Sequence, residues 1–160
     1  DLEVNFDDRV IHTNFPIKRG DTIKYNDVIY LVYSDVQNKR GHEYKAIIRP
    51  MTNKFKFTYW TEGYFEETDP VGNPIWIIPP QQVTEDLPCI AYQEGSPTIV
   101  GYWIRQPEER IKVIMPDNYI TQQIQINTKH QLYNRHYKIV DINLLQPGIR
   151  IFTMEWTTPD

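Results

Sequence analysis

The 160-residue chain has one cysteine, Cys89, and a formal net charge of −4. A single thiol excludes an intramolecular disulfide framework and a thiolate zinc site, and it suits a reducing compartment. A negative total argues against a broad basic face for duplex DNA. No window approaches the roughly 20 consecutive apolar residues of a membrane-spanning helix, and no charged-then-apolar leader opens the chain. The first residue is Asp1 rather than Met, which leaves removal of an initiator or of a longer leader open. Walker, Rossmann and Gly-x-Ser-x-Gly sequences are missing. Long helix-compatible windows are scarce as well. Twelve prolines cut the chain, and the two longest proline-free windows, 17–49 and 117–146, carry its best strand patterns.

What is present is aromatic and β-branched. Eleven Tyr, six Phe and four Trp favour strands, and they favour surfaces that contact a partner. Asp1–Asn14 is acidic and weakly patterned and reads as an arm or edge segment. Thr22–Tyr25 and Val28–Val36 flank Asn26-Asp27, residues that tolerate the positive φ of a two-residue hairpin turn. Gln37–His42 is a polar, cationic loop, and Tyr44–Pro50 returns as a strand. In Lys54–Trp60 the strict alternation of Lys and Phe, then Thr and Tyr, predicts a half-buried strand. Thr61–Pro80 is the least regular stretch, with Ile75–Ile78 as a short edge strand. Leu87–Gln93 and Thr98–Ile104 flank a turn at Glu94-Gly95-Ser96-Pro97. Arg110–Met115, Gln122–Ile126, His136–Ile142 and Ile149–Trp156 complete about ten short strands, the spacing of a barrel or sandwich. Gln146-Pro147-Gly148 fits a type II turn.

One pattern occurs twice. Tyr30-Leu31-Val32-Tyr33-Ser34-Asp35-Val36 and Tyr137-Lys138-Ile139-Val140-Asp141-Ile142 each follow a strand-like stretch with a polar turn, and each precede a Gly-containing turn and another strand. The expected fold is therefore all-β, with antiparallel meanders forming a barrel or sandwich from two similar β-units. The expected organisation is a first unit over 1–62, an irregular Pro/Gly-rich connector over 63–80, and a second unit over 81–160 sharing one core with the first.

Chemistry is thin on this frame. Cys89 lies in the apolar run Leu87-Pro88-Cys89-Ile90-Ala91 and reads as a small buried side chain rather than a nucleophile. Four histidines occur, His12, His42, His130 and His136. The last two flank the Tyr133-Asn134 turn and could face each other, but their spacing matches no closed metal motif. The carboxylates Glu66, Glu67 and Asp69, and the pair Glu108-Glu109, read as solvated surface more readily than as an acid pair across a cleft. Lys54–Trp60 interleaves cations with aromatics as single-strand binding faces do. The same alternation also follows from Phe55, Phe57 and Tyr59 pointing into a core. In Arg19-Gly20-Asp21 the glycine reads as a tight turn. No catalytic residue, metal ligand or cofactor is expected.

Arg19-Gly20-Asp21-Thr22-Ile23, then Tyr30-Leu31-Val32, then Tyr44-Lys45-Ala46-Ile47-Ile48-Arg49 resembles the opening of head-completion and neck proteins from tailed bacteriophages of Gram-positive hosts. Tyr137–Ile142 followed by Gly148-Ile149-Arg150-Ile151 resembles the closing strands of head-closure (stopper) and related head–tail joining barrels. The matching stretches cover less than half of the chain. Met51-Thr52-Asn53 stands where that family often has a Cys-Asn pair, and Thr61–Pro80 has no counterpart there. The resemblance implies a non-enzymatic virion protein, assembled in the host cytoplasm, forming a ring with copies of itself at the head–tail junction and joining or closing the DNA channel. Its implied partners are portal or adaptor and tail proteins, with genomic DNA passing through without sequence-specific binding and with no membrane. On that reading Asn38, Lys39, Arg40, His42, Trp60, Tyr64, Phe65 and Trp76 are the candidate inter-subunit or channel residues. The alternative is a binding module for single-stranded nucleic acid or carbohydrate, the latter using Trp60, Trp76 or Trp103.

Overall fold

A computed structural model describes residues 7–93, 110–132 and 134–158, together with the backbone of 98–100 and 103–105. The chain is nearly all β, and the described residues contain no α-helix. Five strands form the first sheet: β1 (Arg9–Thr13), β2 (Thr22–Tyr25), β3 (Val28–Val32), β4 (Gln37–Lys39) and β5 (Glu43–Pro50). Their order is β1-β5-β3-β2, with β4 also on β5, in a half-barrel. The second sheet is built from β6 (Asn53–Trp60), β9 (Gln82–Gln93), β12 (Arg110–Pro116), β13 (Lys129–Leu132), β14 (Arg135–Asn143) and β15 (Ile149–Thr157). Its order is β13-β14-β15-β12-β9-β6, and β13 returns to β6, so that the sheet nearly closes into a barrel. Two hairpins lie outside both sheets: β7 (Tyr64–Thr68) with β8 (Pro74–Ile78), and β10 (Thr98–Val100) with β11 (Trp103–Arg105). All strand pairs are antiparallel.

Local chemistry explains most of these elements. Asn26 and Asp27 take φ of 48° and 63° and close the β2–β3 hairpin at the expected two residues. The β6 alternation is realised directly: Phe55, Phe57 and Tyr59 are buried, while Lys54, Lys56, Thr58 and Trp60 face water. Gly148 (φ 93°) and the Ile149 N–H to Gln146 carbonyl contact form the expected Pro-Gly turn. The Tyr-led strand β14 sits between β13 and β15, its neighbours in sequence, while β3 sits between β2 and β5, with the short β4 intervening in sequence.

Three expectations shift. Lys54–Trp60, which the sequence places within 1–62, pairs along its whole length with β9 and so belongs to the second sheet. Thr98–Val100 pairs with Trp103–Arg105, while β9 takes β12 as its partner from Ile90 to Gln93; the turn 94–97 lies outside the described residues. Gln122–Ile126 is not a strand. Asn118 Oδ1 accepts the N–H groups of Ile120 and Thr121, and Thr121 Oγ1 donates to the Pro116 carbonyl, which winds Thr121–Gln123 into a 3-10 turn. The strand before the second Tyr run is Lys129–Leu132 instead.

Three apolar clusters result. The barrel interior holds Phe55, Val113, Met115, Leu132, Ile139, Phe152 and Met154, among others. Val32, Ala46 and Ile48 fill the half-barrel. Between them, Leu31 of β3 and the residues just past β3 and β5, Tyr33 and Met51, pack on Ile90, Ile114, Ile149 and Ile151 from the second sheet. A shared core therefore joins the two sheets. At its margin two glycine turns interlock. A Cβ on Gly20 (φ 96°) would lie 1.9 Å from the Gly148 carbonyl oxygen, and a Cβ on Gly148 would lie 1.9 Å from that of Arg19. The tight-turn reading of Arg19-Gly20-Asp21 thus holds and gains a second reason. Asp21 is also committed locally, since Oδ2 accepts the Lys18 N–H at 2.9 Å.

The start of the described chain is held to the same region by Arg49. Its Nε and Nη2 donate to the two Asp8 carboxylate oxygens at 2.7 and 3.1 Å, and its guanidinium lies 4.0 Å from the centre of the Tyr33 ring.

Gly20→Ala should lower the stability of the protein by about 3 kcal/mol, combining left-handed strain with a backbone clash. Gly41→Ala, at φ 77° with nothing within 4 Å of the added methyl, should lose only about 1 kcal/mol. Urea unfolding of the two variants measures the difference. Equal midpoints would mean that the two turns are not interlocked.

Candidate functional site

The β6–β9 ladder runs out at Trp60 opposite Gln82. Thr61 N–H still donates to the Gln81 carbonyl, and Gln81 N–H to Thr61 Oγ1, both at 2.8 Å. Gly63 (φ 72°) and Pro79-Pro80 then break the pairing, because a proline has no N–H to donate. The chain continues outward as the β7–β8 hairpin. Its tip is well made: Pro70-Val71-Gly72 forms a three-residue loop, with the Gly72 N–H bonded to the Asp69 carbonyl and the Asp69 N–H to the Asn73 carbonyl. Asp69 Oδ1 accepts the N–H groups of Asn73 and Val71 at 2.8 and 3.0 Å, and these bonds, the one from Asn73 first, hold its carboxyl below the usual range. At the base, the Gln123 side-chain amide mimics a neighbouring strand. Its Oε1 accepts the Trp60 N–H and its Nε2 donates to the Trp60 carbonyl, both at 2.9 Å.

The side chains of this arm are in the wrong environment for an isolated protein. Ile75, Trp76, Ile77 and Ile78 are consecutive, and all are 40–57% exposed. Tyr64, Phe65, Val71 and Trp60 add to the patch. An apolar run without alternation is the pattern of a strand covered on both faces. Here neither face is covered. Phe65 and Trp76 meet edge to face at 5.3 Å, and the Tyr64 hydroxyl donates to Glu66, so the arm is ordered by its own contacts. The four aromatics leave on the order of 400 Å² in water, the size at which exposed apolar patches mark contact sites.

Of the candidate residues named from the sequence, Tyr64, Phe65 and Trp76 thus lie on one arm, and Trp60 stands at its root. Asn38, Lys39, Arg40 and His42 lie on the β4–β5 hairpin of the other sheet and are exposed. Sequence reading did not single out Ile75, Ile77 and Ile78 as exposed, although the run Pro74-Ile-Trp-Ile-Ile-Pro79 carries the signal. The Gln123 clamp and the Asp8–Arg49 pair have no local signature.

The chemical alternatives lose their geometry. His130 pairs in register with Tyr137 and Gln131 with His136, so the two histidines point to opposite faces and cannot share a metal. His130 instead packs against Phe55 and Phe57, with Thr128 Oγ1 at 2.7 Å from Nε2, and burial pushes its pKa down to about 4. No group of three or more His, Cys, Asp or Glu able to hold a metal occurs among the described residues. Cys89 is buried, which raises its thiol to about 12 and leaves it protonated. Glu66, Glu67 and Asp69 line the arm rather than a cleft; Glu108-Glu109 and the Trp103 side chain lie outside the described residues. A cleft of about 720 Å³ does open at the joint between the sheets, beside Arg19, Asp35 and Asp117. Two of its charges are paired: Arg19 Nη2 lies 3.2 Å from Asp35, and Arg150 Nε lies 2.7 Å from Asp117, which keeps the Asp117 carboxyl below its usual range, while the buried Arg19 Nε has no hydrogen-bond partner.

A family model for the YomX C-terminal domain matches residues 13–155, and the chain belongs to that family. The family is phage-derived, which points to a phage protein. No curated protein and no solved structure matches the chain. No helix among the described residues is long and apolar enough to cross a membrane.

His130 generates a pH test. Its folded pKa lies near 4, below the ordinary 6.5 of the unfolded chain. The stability it supports is therefore complete above about pH 6.5. It declines as pH falls, because the unfolded chain takes up a proton that the folded one refuses until about pH 4. After allowing for residual solvent screening the loss should be roughly 2 kcal/mol. Urea midpoints between pH 7 and 4 should fall less steeply for His130→Gln than for the parent chain. Parallel slopes would show that the ring is not buried in its neutral form.

Proposed function

We propose that this protein is a non-enzymatic virion structural component of a tailed phage, working as a ring of identical subunits at the head–tail junction, where it joins or closes the DNA channel. One observation carries the reading: the apolar β7–β8 arm, ordered at its tip and base yet uncovered on both faces. Membership of a phage-derived family supports it, as does the resemblance of the Tyr-led strands to head-completion proteins. In this reading portal or adaptor and tail proteins flank the ring. Genomic DNA passes without sequence-specific binding, consistent with a net charge of −4.

Magnitudes favour assembly through the arm. Burying about 400 Å² of aromatic surface contributes on the order of 10 kcal/mol. That is comparable to the roughly 4–15 kcal/mol that association costs in lost freedom. The exposed Ile75, Ile77 and Ile78 then tip the balance toward a stable contact. The runner-up, a single-strand binding face on β6, loses its main support because Phe55, Phe57 and Tyr59 are buried.

Size-exclusion chromatography with light scattering, together with negative-stain imaging, tests this proposal. The parent chain should form annular particles, alone or on adding its virion partners. Trp76→Ser with Ile77→Ser should weaken assembly at least ~100-fold, while the circular dichroism spectrum is unchanged. Compact monomers of the parent chain at every concentration, with or without partners, would overturn the ring. A Trp fluorescence shift on adding glycans, without assembly, would favour the carbohydrate module instead.

A further inference from the structure

We infer that the arm of one copy docks on a cationic ledge of the next copy, formed where β1, β5 and β4 run side by side. This rests on the assembly reading above and adds the receiving surface. In register, Val10 stands opposite Ile47, His12 and Gln37 stand on either side of Lys45, and Lys39 stands opposite Glu43. Residues paired across a sheet share a face, so Val10, His12, Lys45 and Lys39 lie together. Ile47 of this face packs against the core between the two sheets, and the remainder runs outward past it. Arg40 extends the charge at the exposed hairpin tip, with the exposed His42 beside it. Glu43, the carboxylate on this stretch of β5, already stands 3.5 Å from His12.

The arm is the electrostatic complement. Residues 61–81 carry Glu62, Glu66, Glu67 and Asp69 and contain no Lys or Arg. Both surfaces also combine charge with exposed apolar area, the ledge through Val10 at 55%. Exposed Val10 beside the cations matches an acidic, apolar protein segment and has no use for a phosphate backbone, which favours the arm over DNA as occupant. A second copy of the chain suffices because each chain carries both halves. The contact is head-to-tail, which generates a ring where the rotation closes.

The test uses charge reversal in the full chain, with assembly read by light scattering and folding by circular dichroism. Lys39→Glu with Arg40→Glu, in an exposed turn, should weaken association at least ~10-fold and make what remains less sensitive to salt. Glu62→Lys with Glu67→Lys should do the same. All four changes in one chain should restore assembly. If the ledge reversals leave assembly intact while Trp76→Ser/Ile77→Ser abolishes it, the ledge assignment fails and the assembly role of the arm stands. If the serine variants also assemble normally, the underlying reading fails. If the ledge reversals reduce binding of a labelled DNA duplex without altering assembly, the ledge faces nucleic acid and the inference is overturned.

Discussion

The core shared between the two sheets is the constraint on which the rest depends. A half-barrel of five strands leaves one apolar face unsatisfied, and Leu31, Tyr33 and Met51 bury theirs on Ile90, Ile114, Ile149 and Ile151 of the barrel. Interdigitated side chains resist sliding because small displacements open voids or force clashes. At the margin the Gly20 and Gly148 turns approach so closely that neither position has room for a Cβ. The Asp8–Arg49 pair adds a long-range tie from the start of the described chain to β5. The two sheets therefore present their outer surfaces at a fixed mutual orientation.

With its own core complete, the barrel has nothing left to gain from the β7–β8 arm. The arm is an insertion at the end of a ladder that would otherwise close with a short turn. Gly63 and the two prolines uncouple it from β6 and β9, while Gln123 holds the last paired residue, Trp60, at the backbone. A two-stranded hairpin alone is marginal in water. Asp69 lowers that difficulty at the tip by accepting backbone N–H groups that would otherwise need water. β10–β11 is a second insertion, leaving from Gln93 and returning to Ile111, which are themselves paired. The two hairpins thus depart from opposite ends of β9. The twelve residues of β9, at about 3.3 Å per step, can separate their roots by up to roughly 36 Å.

Much of the frame was legible because its signals are local. Alternation in Lys54–Trp60, the Asn26-Asp27 turn and the Pro147-Gly148 turn each name their own geometry. Partnership was harder to read. Nothing in β6 says whether it pairs with β5, its neighbour in sequence, or with β9 across a twenty-one-residue insertion; the nearly closed barrel decides by burying Phe55 in one cluster with Leu132 and Phe152. Gln122–Ile126 misled because alternation alone does not make a strand. Ile124 is buried and Ile126 is half exposed, and the hydrogen bonds of Asn118 and Thr121 outweigh strand propensity. On the arm, the Pro and Gly content reads as irregular connection, yet the glycines and prolines mark the tip and base of a hairpin. Its four consecutive apolar residues were visible, but only exposure distinguishes a missing partner from a core strand.

Fixed orientation within the chain matters for any assembly built from unlike patches. Where two copies meet through the same surface, symmetry closes the contact at two subunits whatever the shape of each. Where an arm on the barrel meets a ledge on the half-barrel, each added copy repeats one rotation and translation, and only a chosen pair of values returns to the start. A hinge between the sheets would spread that rotation over many values and produce open chains of varying length. The packed joint, the interlocked glycines and the clamp at Trp60 all narrow that spread, because they act between the ledge and the root of the arm. On this view the stability of the joint and the closure of a ring are one requirement, and a substitution deep in the joint acts on assembly without touching either contact surface.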